Sequence, residues 1–227
     1  MADIAAVHAE VSRILDADLR ALTDRQRLSV VPPVARGDWD LPEPDATTLW
    51  TYGLPPARDD DLFGVVGGYQ SEPAPALDLD GWTDGGPGGY LLGTFGEARI
   101  AARAGSGAVL AVPSFTVDDV HPQLRHQFPD GVHPVVMNSS VSRLVDFAWR
   151  WHWLLPILAA QQVKAGQDEH AAWQHARTEA DQAALPDFFA PVRSICDRII
   201  ERFRALDPTA VPEDGTLVWP EAVLESL

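Results

Sequence analysis

An abrupt change of pattern near the middle of the chain constrains its fold more than any other feature. An extended apolar run at residues 135–137 stops at Asn138-Ser139-Ser140, and helical spacing starts at Val141. Before this junction the chain has short apolar runs separated by Gly- and Pro-containing turns, whereas nearly everything after it has helical periodicity. Because strand and helix patterns are segregated along the chain, we predict an α+β fold.

The length and composition favour one domain. A chain of 227 residues with 46% apolar residues can bury a sizeable core. We predict a single domain over residues 1–227, which begins with a helix and an acidic linker at 1–45. A β-rich half at 46–137 follows, and a helical half occupies 138–227. Within the first part, apolar spacing predicts one amphipathic helix over residues 4–22 and a short helix from about Ala46 that ends at Gly53.

The β-rich half predicts a mostly antiparallel central sheet, because short turns join its strands. A hairpin is expected at 98–112 around Gly105 and Gly107, with further strands at 90–94, 114–117 and 135–137. After the junction, Pro156 should kink or end the first helix. An exposed helix at 168–185, a strongly amphipathic helix at 187–206 and a short closing helix at Trp219 complete the predicted fold, with the helices packed on one side of the sheet.

Asn138, Ser139 and Ser140 allow two interpretations. Their side-chain oxygens can accept hydrogen bonds from the unpaired N–H groups of the first helical turn, which makes capping the simple one. A serine nucleophile is the alternative, but no Gly-x-Ser-x-Gly turn surrounds either serine. The pattern therefore favours a structural role.

The charge of the chain limits its partners. The net charge is −16, and eleven acidic residues against two arginines between Arg36 and Asp84 give a local net charge of −9. Nucleic acids and anionic membranes bind through Lys and Arg, so the sequence argues against both and favours a cationic partner. Solubility alone is the competing explanation for the acidity.

No pattern in the sequence compels an enzyme. His121, His126 and Asp130 form the best candidate metal set, but their spacing matches no common ligand motif. We therefore predict no catalytic residue, no metal and no cofactor. The eight tryptophans mostly fall within helical or strand patterns, which favours core packing over a ligand cage.

The cysteine content and the apolar segments of the chain indicate the cellular compartment of the protein. The single Cys196 excludes an internal disulfide and lies in the apolar stripe of the last long helix, where a small buried residue is expected. Residues 1–5 lack a secretory pattern, and charged residues and Pro156 interrupt the most apolar segment, 144–160. We expect a cytoplasmic protein without a membrane segment.

Four motifs, in this order over residues 49–227, resemble the SUKH superfamily, in particular its fourth subgroup of bacterial immunity proteins. The first two are Tyr52-Gly53-Leu54-Pro55 and the Gly-turn hairpin at 99–112. The third is Val136-Met137-Asn138-Ser139-Ser140 leading into Phe147, and the fourth is Leu206-Asp207-Pro208 with Trp219. An aromatic residue is expected close before Asn138, where this chain has valine and methionine, and the helical stretch at 161–184 is longer than the resemblance predicts.

The resemblance implies an α+β domain that binds and neutralises a cognate polymorphic toxin, commonly a nuclease or a nucleic-acid deaminase, inside the cell. An acidic surface suits the cationic groove of such a toxin, and the candidate contact residues are Asp59, Asp60, Asp61, Asp78 and Asp80. The motif residues Gly53, Leu54, Pro55, Asn138, Ser139, Ser140, Phe147 and Trp219 are expected to be structural. There are two alternatives. One is a non-enzymatic regulatory adaptor of the same fold, and the other is a small metal-dependent hydrolase that uses the His121–His133 loop.

Overall fold

The described residues of the N-terminal part form three helices. A computed structural model describes residues 4–24, 39–56, 69–71, 76–77, 88–96, 98–212, 218–219 and 223. Helix α1 spans Ile4–Asp16, α2 spans Leu19–Thr23 and α3 spans Glu43–Tyr52. The prediction of one helix over 4–22 is wrong, because α1 ends at Asp16. Asp18 then caps α2 by accepting a hydrogen bond from the Ala21 N–H at 2.7 Å.

Six strands in the described part of the chain form one antiparallel sheet. They are β1 Tyr69–Ser71, β2 Ala76–Leu77, β3 Gly89–Phe95, β4 Ala98–Arg103, β5 Val109–Val112 and β6 Val135–Asn138. The order is β1-β3-β4-β5-β6, and β2 pairs with the opposite end of β3 from β1. With helices before and after the sheet, the predicted α+β fold is confirmed.

The two faces of the central hairpin have different environments. Ile100 and Ala102 are fully buried in the main core, whereas Ala101 and Val112 are fully buried in a separate small cluster with Leu110. This division follows the alternation of side chains along a strand. The hairpin at 98–112 was predicted correctly.

The predicted strand at 114–117 is wrong, because local hydrogen bonds hold this segment as a turn. The Asp119 carboxylate accepts from the Thr116 N–H at 2.8 Å and from the Thr116 hydroxyl at 3.0 Å. The backbone bond from Thr116, followed by the hydroxyl bond, lowers the pKa of Asp119 below its usual value. Such side-chain bonds compete with strand pairing for the backbone donors.

Among the described residues after the sheet are α4 Val141–His175, α5 Glu179–Ala183 and α6 Ala190–Leu206. Val218, Trp219 and Val223, at the position of the predicted closing helix, are also helical. Helix α4 has 35 residues and continues through Pro156, so residues 168–175, predicted to begin a separate helix, belong to it. Buried Leu155 and Leu158 anchor the helix on both sides of the proline. Packing of these side chains compensates for the hydrogen bond that proline cannot donate.

The main core joins the helices to one face of the sheet. Most of the predicted apolar stripe of α6 is buried, with Val192, Ile195, Cys196, Ile199 and Phe203 at 1% exposure or less. Phe188, Ile200 and Leu206, which were also predicted in the stripe, are partly buried against the same core. Cys196 is thus a small buried side chain, and a reactive thiol is not favoured at this position. Val218, Trp219 and Val223 near the C-terminus belong to the same core.

Candidate functional site

The strand-to-helix junction is tied to the C-terminal part of the chain. Asn138 is fully buried, and its side-chain amide donates to the Asp207 carboxylate at 3.3 Å while its oxygen accepts from the Trp219 indole N–H at 2.9 Å. Asp207 also accepts from the Ser139 N–H at 2.8 Å. Asn138 is therefore a buried connector between β6, the end of α6 and Trp219, and the prediction that it caps a helix is wrong.

Aromatic rings surround this connector. Phe147 stacks on Phe203 at 4.0 Å between ring centroids, and the Trp219 indole meets both rings edge to face at 5.6 and 5.5 Å. Trp151 completes the cluster at 6.4 Å from Trp219. Since these four side chains are at most 2% exposed, Phe147 and Trp219 serve packing.

The two serines of the junction differ in what they contribute. Ser140 is the N-cap of α4, because its hydroxyl accepts from the Arg143 N–H at 3.2 Å. Ser139 contributes its backbone N–H to Asp207, a bond that does not depend on its side chain. The hydroxyl of Ser140 is thus engaged as a cap, which supports the structural interpretation.

This difference predicts unequal effects on stability. Ser140→Ala should lower the free energy of unfolding by about 1 kcal/mol through the lost cap. Ser139→Ala should change it by less than about 0.5 kcal/mol, because only its backbone is used. Urea unfolding of the two variants measures both values, and equal losses would contradict the assignment of the cap to Ser140.

The Tyr52-Gly53-Leu54-Pro55 motif positions the start of the helical half. Gly53 ends α3 with a positive φ of 63°, a conformation that suits glycine. Its carbonyl accepts from the Trp149 indole N–H at 3.0 Å, and Leu54 and Pro55 are buried. The motif therefore holds α3 against the first third of α4.

A buried carboxylate makes a second link between these helices. Asp45 is 4% exposed and accepts from the Ser142 N–H at 2.8 Å and the Ser142 hydroxyl at 2.6 Å. The tip of the β4–β5 hairpin lies directly over this carboxylate, since a Cβ on Gly107 would come within 2.2 Å of Asp45 Oδ2. A negative charge at the first turn of α4 also complements the helix dipole.

Sequence reasoning missed the contact that holds the N-terminal helices to α4. Arg150 is 4% exposed and pairs with Asp146 through two hydrogen bonds of 2.8 and 3.1 Å. Its guanidinium also donates to three backbone carbonyls at the end of α1: Ile14 at 2.7 Å, Leu15 at 2.8 Å and Ala17 at 3.0 Å. Arg150 therefore caps α1. The sequence signals only its ion pair, because Arg150 follows Asp146 at the i, i+4 spacing of paired side chains on a helix.

The candidate metal set is not assembled as a site. His121, His126 and Asp130 are exposed in a loop that contains a 3-10 turn at Arg125–Gln127. The His126 Nδ1 lies 2.7 Å from the Gln123 carbonyl, and His133 contacts the Asp130 carbonyl. Within the described residues no three His, Cys, Asp or Glu side chains come together as metal ligands.

The acidic candidates for partner binding, Asp59, Asp60, Asp61, Asp78 and Asp80, lie outside the described residues. Their role stays a prediction. In the part of the chain that the structure covers, no helix is both long enough and apolar enough to cross a membrane.

The comparison with protein families identifies the chain. The family model described as SUKH-4 immunity protein matches residues 14–226, which is nearly the whole sequence. The chain belongs to the SUKH-4 immunity protein family, and membership suggests an immunity function. No curated protein and no solved structure matches it.

Proposed function

We propose that this member of the SUKH-4 immunity family binds and neutralises a cognate polymorphic toxin of the nuclease or nucleic-acid deaminase type. It acts inside the producing cell and by binding alone, without catalysis. The observation that carries the immunity role is the family match over residues 14–226. The net charge of −16 supports the toxin class, because enzymes that act on nucleic acids have cationic grooves.

The motif residues leave binding to other surfaces. Asn138, Phe147 and Trp219 are fully buried, and their contacts are with one another and with the ends of β6 and α6. A partner cannot reach them without opening the core. Binding should therefore involve exposed side chains, and the acidic region between Arg36 and Asp84 is the most charged stretch available.

Electrostatic steering gives this region a measurable role. Changing Asp59, Asp60 and Asp61 together to lysine should lower the association rate constant about tenfold or more at low salt and flatten its dependence on ionic strength. Stopped-flow mixing with the purified product of the neighbouring reading frame measures both quantities. Long-range attraction between opposite charges is lost in the variant, while the dissociation rate should change less.

A charge-matched control separates local from overall charge. Changing Asp24, Asp197 and Glu201, which are exposed elsewhere, to lysine alters the net charge by the same amount. This control should slow association less than the 59–61 variant does. Equal rates for the two variants would remove residues 59–61 from the binding surface.

Neutralisation is tested by adding the purified chain to the neighbouring gene product and assaying its nuclease and deaminase activity. The proposal predicts a stoichiometric complex in which that activity is suppressed. A complex with a partner that has no toxic activity would instead favour the regulatory adaptor.

A further inference from the structure

The last part of α4 leaves the core and remains helical. Between Ala160 and His175 only Ala165 is buried. Extending an already formed helix is easier than starting one, and the Lys164–Asp168 ion pair at i, i+4 adds support. The sixteen residues 160–175 make a stiff helical segment of about 24 Å, which we call the α4 extension. Apart from Ala165 its residues are exposed or half-buried, and Gly166 and Glu169 are half-buried.

One face of the α4 extension carries an exposed tryptophan. Gly166, Glu169 and Trp173 are spaced at i, i+3 and i+7 and share a face of the helix. Trp173 is 48% exposed, in contrast to the buried Trp149, Trp151 and Trp219. Tryptophan with this exposure is typical of residues that bury their surface in a protein interface.

Gly166 is not explained by packing within the chain. Glycine in a helix interior is unfavourable relative to alanine. A Cβ at this position would meet no atom within 4 Å, so neither a neighbouring helix nor the sheet requires its absence. The glycine instead leaves an open notch two turns before Trp173, where another protein can approach the helix backbone closely.

Glu169 adds a carboxylate one turn from the indole. Among the described residues no ion pair or hydrogen bond engages it, whereas the adjacent Asp168 pairs with Lys164. An aromatic face beside a free carboxylate is suited to an arginine, whose guanidinium can stack on the ring and pair with the acid. The acidity of the chain as a whole matches such a cationic partner.

We propose that the face formed by Gly166, Glu169 and Trp173 is a docking surface for the toxin. An arginine of the toxin lies between the Trp173 indole and the Glu169 carboxylate, and the adjoining toxin backbone passes over Gly166. This proposal rests on the proposed function, since it takes the toxin as the partner.

The test uses the full-length chain and the catalytically disabled product of the neighbouring reading frame, with affinity measured by calorimetry. Trp173→Ala should weaken binding about thirtyfold, the loss that defines a hot-spot residue. Glu169→Gln should weaken it about fivefold and reduce its salt dependence. Gly166→Ala should raise the melting temperature and still weaken binding, which loss of folding cannot explain.

Matched variants away from this face serve as controls. Leu124→Ala removes a similarly exposed apolar side chain outside the helix, at 46% exposure, and Asp168→Asn removes a neighbouring charge. Both should bind as the wild type does. If wild-type protein binds but Trp173→Ala binds equally well, the docking surface is wrong and the proposed function stands. If the wild type forms no complex, both proposals fail.

Discussion

Trp219→Ala should lower the free energy of unfolding by about 3–5 kcal/mol, the usual cost of removing a buried tryptophan. The indole is fully buried against Phe147 and Phe203, and its N–H donates to Asn138. The substitution leaves a cavity and an unsatisfied buried amide oxygen at once. With total stabilities of about 5–15 kcal/mol for natural domains, this loss brings the fold close to unfolding. Urea unfolding followed by circular dichroism measures it.

Two variants separate the contributions to this loss. Trp219→Phe keeps an aromatic ring but loses the hydrogen bond to Asn138, and should cost about 1–3 kcal/mol. Trp173→Ala, at an exposed tryptophan, should change stability by less than about 0.5 kcal/mol. A similar loss for Trp219→Ala and Trp173→Ala would show that the aromatic cluster does not stabilise the fold.

Arg150→Met should have an effect of the same size, about 3–5 kcal/mol, because it leaves the Asp146 carboxylate without its partner. The Asp146 side chain is only 13% exposed, so water cannot replace the guanidinium easily. The Ile14 and Ala17 carbonyls at the end of α1 lose this donor in the same step, and the Leu15 carbonyl keeps only its bond from Arg202. Chemical unfolding gives the loss, and hydrogen exchange should locate increased opening in α1 and α2.

If the unpaired Asp146 carboxylate causes the loss of stability, removing both charges should reverse much of it. Arg150→Met combined with Asp146→Leu removes both charges and should recover much of the stability, since no unpaired charge remains. Arg202→Met removes a more exposed arginine that also donates to the Leu15 carbonyl, and should cost less than about 1 kcal/mol. If Arg150→Met cost no more stability than Arg202→Met, the buried contacts of Arg150 with Asp146 and the end of α1 would not stabilise the fold.

Local patterns predicted most of the elements, and distant contacts explain where prediction failed. The spacing in residues 187–206 identified α6, and the glycine turn identified the β4–β5 hairpin. The break after Asp16 could not be predicted, because the guanidinium that satisfies the end of α1 comes from Arg150, more than 130 positions away. The turn at Thr116 was missed because a single Asp119 side chain redirected an otherwise strand-like segment.

The junction shows the same limit within three residues. Sequence placed the helix start correctly, and Ser140 is the cap. The role of Asn138 depends on Asp207 and Trp219, which lie 69 and 81 positions further along the chain. Side-chain type alone could not distinguish a cap from a buried connector. The exposure of the helix around Trp173 was predicted from its composition, whereas the open space beside Gly166 could not be read from the sequence.

Growth rescue is the decisive test of the immunity role. The product of the neighbouring reading frame is induced in cells with and without this chain, and a catalytically disabled copy of that product serves as the control for expression burden. An immunity role predicts arrest by the active product alone, growth when the wild-type chain is present, and recovery of the two proteins as a stoichiometric complex. Arrest that continues despite abundant folded chain, or growth without a complex, would contradict it.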